Sequence, residues 1–109
     1  MVESNLQIDM LFTALSDSTR RSILKRVAKV EMSIGEIADH YKLTFAAISK
    51  HIQVLEKAGL VTKRRRGREQ IVIIVPSTLD VAREHLEQYA KLWVDRYDKL
   101  EVLLNKEDI

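Results

Sequence analysis

No cysteine occurs in the 109 residues, and there are only one proline, three glycines and 6% aromatic side chains. Without thiols the chain can form no disulfide, no thiol redox switch and no thiolate metal site. No apolar run approaches membrane-spanning length, and no charged-then-apolar leader opens the sequence. Internal repeats and low-complexity stretches are missing. So are a nucleophile–base pair, a glycine-rich phosphate loop and a metal-ligand cluster, which argues against an enzyme. No catalytic residue, cofactor or metal site is therefore expected. The absences fit a cytoplasmic protein with no membrane partner.

What is present suits a folded domain. Hydrophobic residues make up 46% of the chain, and its length allows one core with at most an appended helix. The net charge of +2 conceals an asymmetry. Residues 60–76 hold five Lys/Arg against one Asp/Glu, whereas residues 77–109 hold five against eight. Positive charge is concentrated mid-chain, so a polyanion is expected to meet the middle of the protein and not its tail.

Residues 43–59 form the most informative stretch. Thr44 can cap a helix that Gly59 closes in a left-handed position. Ala47, His51, Val54 and Ala58 make one stripe, and Ile48, Ile52 and Leu55 its neighbour, giving a broad face for burial. The opposite face presents Phe45, Ala46, Ser49, Lys50, Gln53, Glu56 and Lys57. Small, polar and basic side chains on the free face of an anchored helix suit a DNA major groove. Ser49 and Gln53 are candidates for base edges, and Lys50 for phosphate. Phe45 either touches a thymine methyl or folds back on Leu43 and Tyr41.

The other elements follow from periodicity and caps. Asn5–Leu15 reads as a helix with Ile8, Leu11, Phe12 and Leu15 on one side. Asp17 or Ser18 can cap a second, with Ile23, Leu24 and Val27 inward and Arg20, Arg21, Lys25 and Arg26 largely outward. Ser33 and Glu36 fit a capping box opening a short third helix. Lys42-Leu43 then leaves room only for a tight helix-turn-helix. After Gly59, Leu60–Thr62 and Gln70–Val75 are strand-like runs around a turn at Gly67, which makes a basic hairpin. Its Lys63, Arg64 and Arg65 are candidates for backbone contact, and Arg66 and Arg68 for minor-groove or phosphate contact. Pro76 ends the second strand, and Ser77 with Asp80 can cap a last helix.

In that last helix Leu79, Ala82, Leu86, Tyr89, Trp93, Tyr97, Leu100 and Leu104 recur at a mean spacing of about 3.6 residues. The stripe is longer than a small domain can cover, and leaving Trp, Tyr and Leu in water is costly at about 25 cal/mol per Å². A second copy of the chain is the expected cover. The histidines read blandly: His51 as a hydrogen-bonded structural side chain, His40 and His85 as solvent-exposed. A metal site built from His40, His85 and carboxylates would show itself as stoichiometric zinc binding.

Helix, helix, helix-turn-helix, basic hairpin and long helix make a winged helix-turn-helix, mostly α with a β-hairpin wing. The residues resemble a known family at several points in order. Leu15-Ser16-Asp17-Ser18-Thr19-Arg20-Arg21-Ser22-Ile23-Leu24 resembles the segment L-x-D-P-T-R-R-x-I-L. Ser33–Ala38 is similar to the family's third helix. Ala47-Ile48-Ser49-Lys50-His51-Ile52, followed by Leu55-Glu56-Lys57-Ala58-Gly59-Leu60-Val61, resembles A-V-S-K-H-L…L-x-x-A-G-L-V. The family is the ArsR/SmtB repressors, and the resemblance covers about residues 10–105.

The resemblance implies a homodimer joined through the first and last helices, Leu6 and Met10 on one, Leu86, Tyr89, Trp93, Tyr97, Leu100 and Leu104 on the other. It also implies a palindromic double-stranded DNA operator and release by an inducer, a small molecule or a protein. The whole chain, 1–109, would then be one domain. Within it lie an N-terminal dimerisation helix (1–16), a helix-turn-helix (33–59), a wing (60–76) and a C-terminal dimerisation helix (77–105). The family's metal-sensing motif E-L-C-V-C-D-L falls on Glu31–Ile37, where both thiolate positions are lost, to Ser33 and Gly35. Its last-helix D-x-H falls on Asp80-Val81-Ala82. Soft metals need thiolates, and zinc needs three or four ligands at tight spacing, so a member of the non-metal-sensing type is expected. The competing reading is a winged helix that binds a protein or RNA and no operator.

Overall fold

The computed structural model describes residues 2–107, and the side chains of residues 6–105. Positions 1, 108 and 109 of the expected domain lie outside the described residues. Eight elements follow one another: α1 (Val2–Leu15), α2 (Ser18–Lys29), β1 (Met32–Ser33), α3 (Ile34–Tyr41), α4 (Phe45–Lys57), β2 (Val61–Arg66), β3 (Glu69–Ile74) and α5 (Pro76–Glu107). The chain divides into two compact units, Met1–Leu79 and Asp80–Ile109.

The first unit is built on helix caps that the local sequence supplies. Asp17 accepts from the Arg20 N–H at 3.0 Å and starts α2. That backbone hydrogen bond, with the charges of Arg20 and His51 nearby, holds the Asp17 carboxyl below the usual carboxylate range. Ser33 caps α3 through Glu36 N–H at 3.1 Å, and Thr44 caps α4 through Ala47 N–H at 3.1 Å. Gly59, at φ +78°, ends α4: its N–H donates to Glu56 O and the Leu60 N–H to Leu55 O, both at 2.9 Å. These two bonds are a Schellman closure, which satisfies carbonyls the helix leaves free. Around these turns Leu11, Ile23, Ile37, Ile48, Ile52, Leu55, Leu60 and Val72 are fully buried and form the core.

Three features depart from the sequence reading. The hairpin is part of a three-stranded antiparallel sheet in the order β1-β3-β2, with Met32 opposite Val72 and Ser33 opposite Ile71. Second, the arginines of α2 do not simply face water. Arg20 donates to Ala14 O (2.8 Å) and Thr13 O (2.9 Å), and Arg21 to Leu15 O (2.8 Å), so both satisfy the last carbonyls of α1. Third, α5 opens at Pro76 and not behind a Ser77 cap. Proline suits a first helical position, because its missing N–H would be unpaired there anyway. Thr78, in that first turn, donates to Gly59 O at 2.5 Å and ties the helix start to the end of α4.

In the second unit α5 carries its apolar stripe into solvent. Leu86, Tyr89, Trp93, Tyr97, Leu100 and Leu104 are all more than half exposed. No helix among the described residues is long and apolar enough to cross a membrane.

Candidate nucleic-acid interface

The turn between α3 and α4 is set by Lys42, whose φ of +52° is left-handed and unusual for a residue with a side chain. It turns the chain into Thr44, which is extended at φ −68°, ψ 155° and caps α4. The helix is fixed from behind by Ile48, Ile52 and Leu55, each 0% exposed. Its other face leaves Phe45, Ala46, Lys50, Gln53 and Lys57 uncovered, with Ser49 half-buried. Thr44 is exposed while its hydroxyl is occupied by the cap.

His51 sits at the edge of this helix, half-buried. Its Nδ1 lies 3.4 Å from Arg20 Nη1 and 3.9 Å from Asp17 Oδ2. The ring therefore faces the corner between α1 and α2, as a structural side chain does. His40 is exposed, with Nδ1 3.4 Å from Arg26 Nη1. His85 differs from its expectation: it is half-buried and meets Tyr89 edge-on, with centroids 5.2 Å apart.

β2 and β3 meet in a two-residue turn at Gly67 and Arg68, between the paired Arg66 and Glu69. Gly67 at φ +64° with Arg68 at negative φ is the pattern of a type II′ turn, whose twist matches the strands. The five cations of this segment do not behave alike. Lys63 Nζ pairs with Glu56 Oε1 on α4 at 3.2 Å, and Arg64 Nη2 with Glu31 Oε2 at 3.1 Å. Arg65 Nε donates to Gly67 O at 3.1 Å and steadies the turn. Among the described residues the side chains of Arg66 and Arg68 take part in no ion pair or hydrogen bond, and both residues are exposed.

Phe45 is 59% exposed. The Tyr41 hydroxyl is bonded to Ser22 and Arg26. Phe45 lines a hollow of about 280 Å³ together with Ser33, Ile34, Arg68 and Gln70, so the start of α4 and the hairpin turn border the same space.

Some participants were not legible in the sequence. Glu56 and Glu31, which hold Lys63 and Arg64, lie outside the hairpin, 7 and 33 positions away, and no helical or strand spacing marks them. Leu92 and Leu103, 66% and 59% exposed, widen the α5 stripe on one flank. Helical spacing could have found them, since each lies three or four residues from members of the stripe. Among the described residues no group of three or more His, Asp or Glu is placed to hold a metal ion.

A capped reading helix behind a tight turn, followed by a hairpin with a basic tip, defines a winged helix-turn-helix DNA-binding regulator. Known proteins agree with this class. The helix-turn-helix domain family matches residues 15–64. The transcriptional regulator Rv2034 of Mycobacterium tuberculosis is 33% identical over 81 residues, covering 74% of this chain and 76% of that protein. Among solved structures, an ArsR-like transcriptional regulator from Rhodococcus sp. RHA1 superposes with a TM-score of 0.83 at 26% identity, covering 97% of each chain. A homodimeric winged helix-turn-helix DNA-binding domain from Mycobacterium bovis superposes with a TM-score of 0.63 at 30% identity, covering 75% of this chain and 83% of that one. The chain belongs to the ArsR/SmtB-type family of helix-turn-helix transcriptional regulators, which are not enzymes.

Proposed function

We propose that the protein is a homodimeric cytoplasmic repressor of the non-metal-sensing type, reading a palindromic operator. One observation carries the reading: Phe45, at the start of an uncovered α4 face that also holds Ala46, Lys50 and Gln53, borders the same hollow as Arg68 of the hairpin turn, and the side chains of Arg66 and Arg68 have no partner among the described residues. Gln53 is suited to adenine, Ser49 to several bases, and Lys50 to phosphate. Thr44 and Ala46 bring the helix start close to the groove wall, and Phe45 meets an apolar base edge such as a thymine methyl. The wing, residues 60–76, takes the flanking backbone or minor groove through Arg65, Arg66 and Arg68. Lys63 and Arg64 act through their ion pairs, by orienting the wing.

Residues 1–16 and 77–105 serve as dimerisation helices. On the first, Leu6 is 59% exposed and Met10 half-buried; on the second, the stripe around Trp93 offers a long apolar face. A second copy is the occupant favoured by the homodimeric relative and by the cost of leaving that face wet. Two copies place their reading helices in successive major grooves, about 34 Å apart. At the family's thiolate positions Ser33 spends its hydroxyl on the α3 cap and Gly35 has no side chain, so neither can ligate. An inducer of another kind, small molecule or protein, would release the DNA.

The test is fluorescence anisotropy with duplexes recovered by selection, over a range of salt. If Lys50, Arg65, Arg66 and Arg68 of each protomer neutralise one phosphate each, the log–log slope for the dimer is about −7. A salt-insensitive interaction, or binding to structured RNA or a protein with none to duplex DNA, would contradict the proposal.

A further inference from the structure

Away from the residues assigned to DNA, the C-terminal half of α2, the strand β1 and the end of α3 enclose an open hollow of about 470 Å³. That size is typical of small-molecule sites. Its lining combines two kinds of surface. The buried Met32 and the exposed Val30 give it an apolar side, while Lys25, Arg26, Lys29 and His40 give it cations and N–H donors. No carboxylate lines it. Among the described residues Lys25, Arg26 and Lys29 enter no ion pair, although the chain carries 16 Asp and Glu.

Arg26 is held in a fixed pose. Its Nε donates to the Tyr41 hydroxyl at 3.0 Å, and its guanidinium lies 5.2 Å from the centroid of the Tyr41 ring. The same hydroxyl is bonded to Ser22 Oγ at 2.6 Å, and Arg26 Nη1 is 3.4 Å from His40 Nδ1. With Nδ1 accepting from the guanidinium, His40 carries its hydrogen on Nε2 and can donate outward. Arg26 Nη2 has no partner among the described residues. A guanidinium fixed at one edge, with its remaining donors free, is preorganised for a carboxylate.

Cations in the last turn of a helix also answer its dipole, and Arg26 and Lys29 would suffice for that. The dipole does not account for His40, which comes from α3, for the Tyr41 clamp, or for the apolar side. A DNA phosphate would need the cations but not Met32 and Val30. We propose that this hollow binds an organic carboxylate with an apolar body, the carboxylate on Arg26 and the body over Met32 and Val30. Tyr41 directly precedes the Lys42 turn that aims α4, so occupancy bears on the reading helix. That consequence rests on the DNA-binding proposal; occupancy itself does not.

The experiment uses the full ¹⁵N-labelled chain without DNA, titrated with sodium octanoate and sodium benzoate at constant ionic strength, with inorganic phosphate as control. Saturable amide shifts at Ser22, Arg26, Val30, Met32 and His40 are expected with at least one carboxylate. Arg26→Gln is expected to weaken that binding by about tenfold or more, as loss of a charged hydrogen bond does. Lys29→Gln, an exposed change that keeps the fold, weakens it by a smaller factor and carries the test if Arg26→Gln fails to fold. The proposal is overturned if neither carboxylate gives saturable shifts, if phosphate gives the same ones, or if Lys29→Gln binds as the parent does. It is also overturned if Lys25→Gln with Lys29→Gln flattens the DNA salt slope by about two per protomer, which would make the hollow a phosphate contact.

Discussion

Helices α4 and α5 both carry a continuous apolar stripe, and the two stripes meet different fates. In α4, Ile48, Ile52 and Leu55 are 0% exposed; in α5, Trp93 is 69% exposed and Tyr97 60%. The hydrophobic free energy of α4 is used inside the chain, and what remains outside is Phe45 and Ala46 at its start and polar or basic side chains beyond them. That of α5 is not used within its own unit, and it remains available for association. One helix is held by its apolar face, and in the proposed dimer the other would hold a partner with it.

The comparison can be broken most sharply in the core. Leu55→Ala is expected to lower stability by about 2–5 kcal/mol at every protein concentration, read by denaturant unfolding. Trp93→Ala acts elsewhere: sedimentation equilibrium is expected to show self-association weakened about 30-fold or more, as for an interface anchor worth at least 2 kcal/mol. Unfolding of the parent would then depend on protein concentration, and a concentration-independent midpoint would count against the dimer.

On the polar face of α4 the effects are expected to be smaller and more selective. Gln53→Ala relaxes discrimination at one base position by about 1–3 kcal/mol, measured across a panel of single-base operator variants. Arg66→Ala with Arg68→Ala weakens all duplexes alike and flattens the salt slope by about two per protomer. Equal loss of specificity in both variants would dissolve the division between reading helix and wing.

The smallest effect concerns acid. The Asp17 carboxyl is held below its ordinary value near 3.8, chiefly by the Arg20 N–H, so its cap stabilises the fold above that pH. The contribution is lost as pH falls through the carboxylate range toward the lowered value. Asp17→Asn, which keeps an N-cap acceptor but cannot titrate, is expected to flatten the acid limb of the stability curve.

Legibility in the sequence followed the range of the interaction. Ser33, Thr44 and Gly59 bond to residues three positions away, so their roles could be read from spacing alone, and for α2 spacing narrowed the cap to Asp17 or Ser18. Pairing of Met32–Ser33 with Ile71–Val72 joins segments 40 residues apart, and a two-residue strand has no periodicity to betray it. The Arg64–Glu31 pair spans 33 positions and the Lys63–Glu56 pair joins the wing to α4, so spacing alone could not show which of the five cations are held by carboxylates. Pro76 was ambiguous for a different reason, since proline stops a strand and starts a helix with the same missing N–H. The exposed face of α4 was visible because burial of one side by Ile48, Ile52 and Leu55 fixes what the other side must expose.

The pairing of β1 with β3 has a mechanical consequence. The wing is clasped on its far edge by the strand that runs straight into α3, and on its near edge by Lys63 reaching Glu56 on α4. Reading helix and wing therefore form a caliper with a preset opening. In the proposed complex one inserted base pair between the sites they would touch moves the second by about 3.4 Å along the duplex, and a caliper cannot stretch to follow.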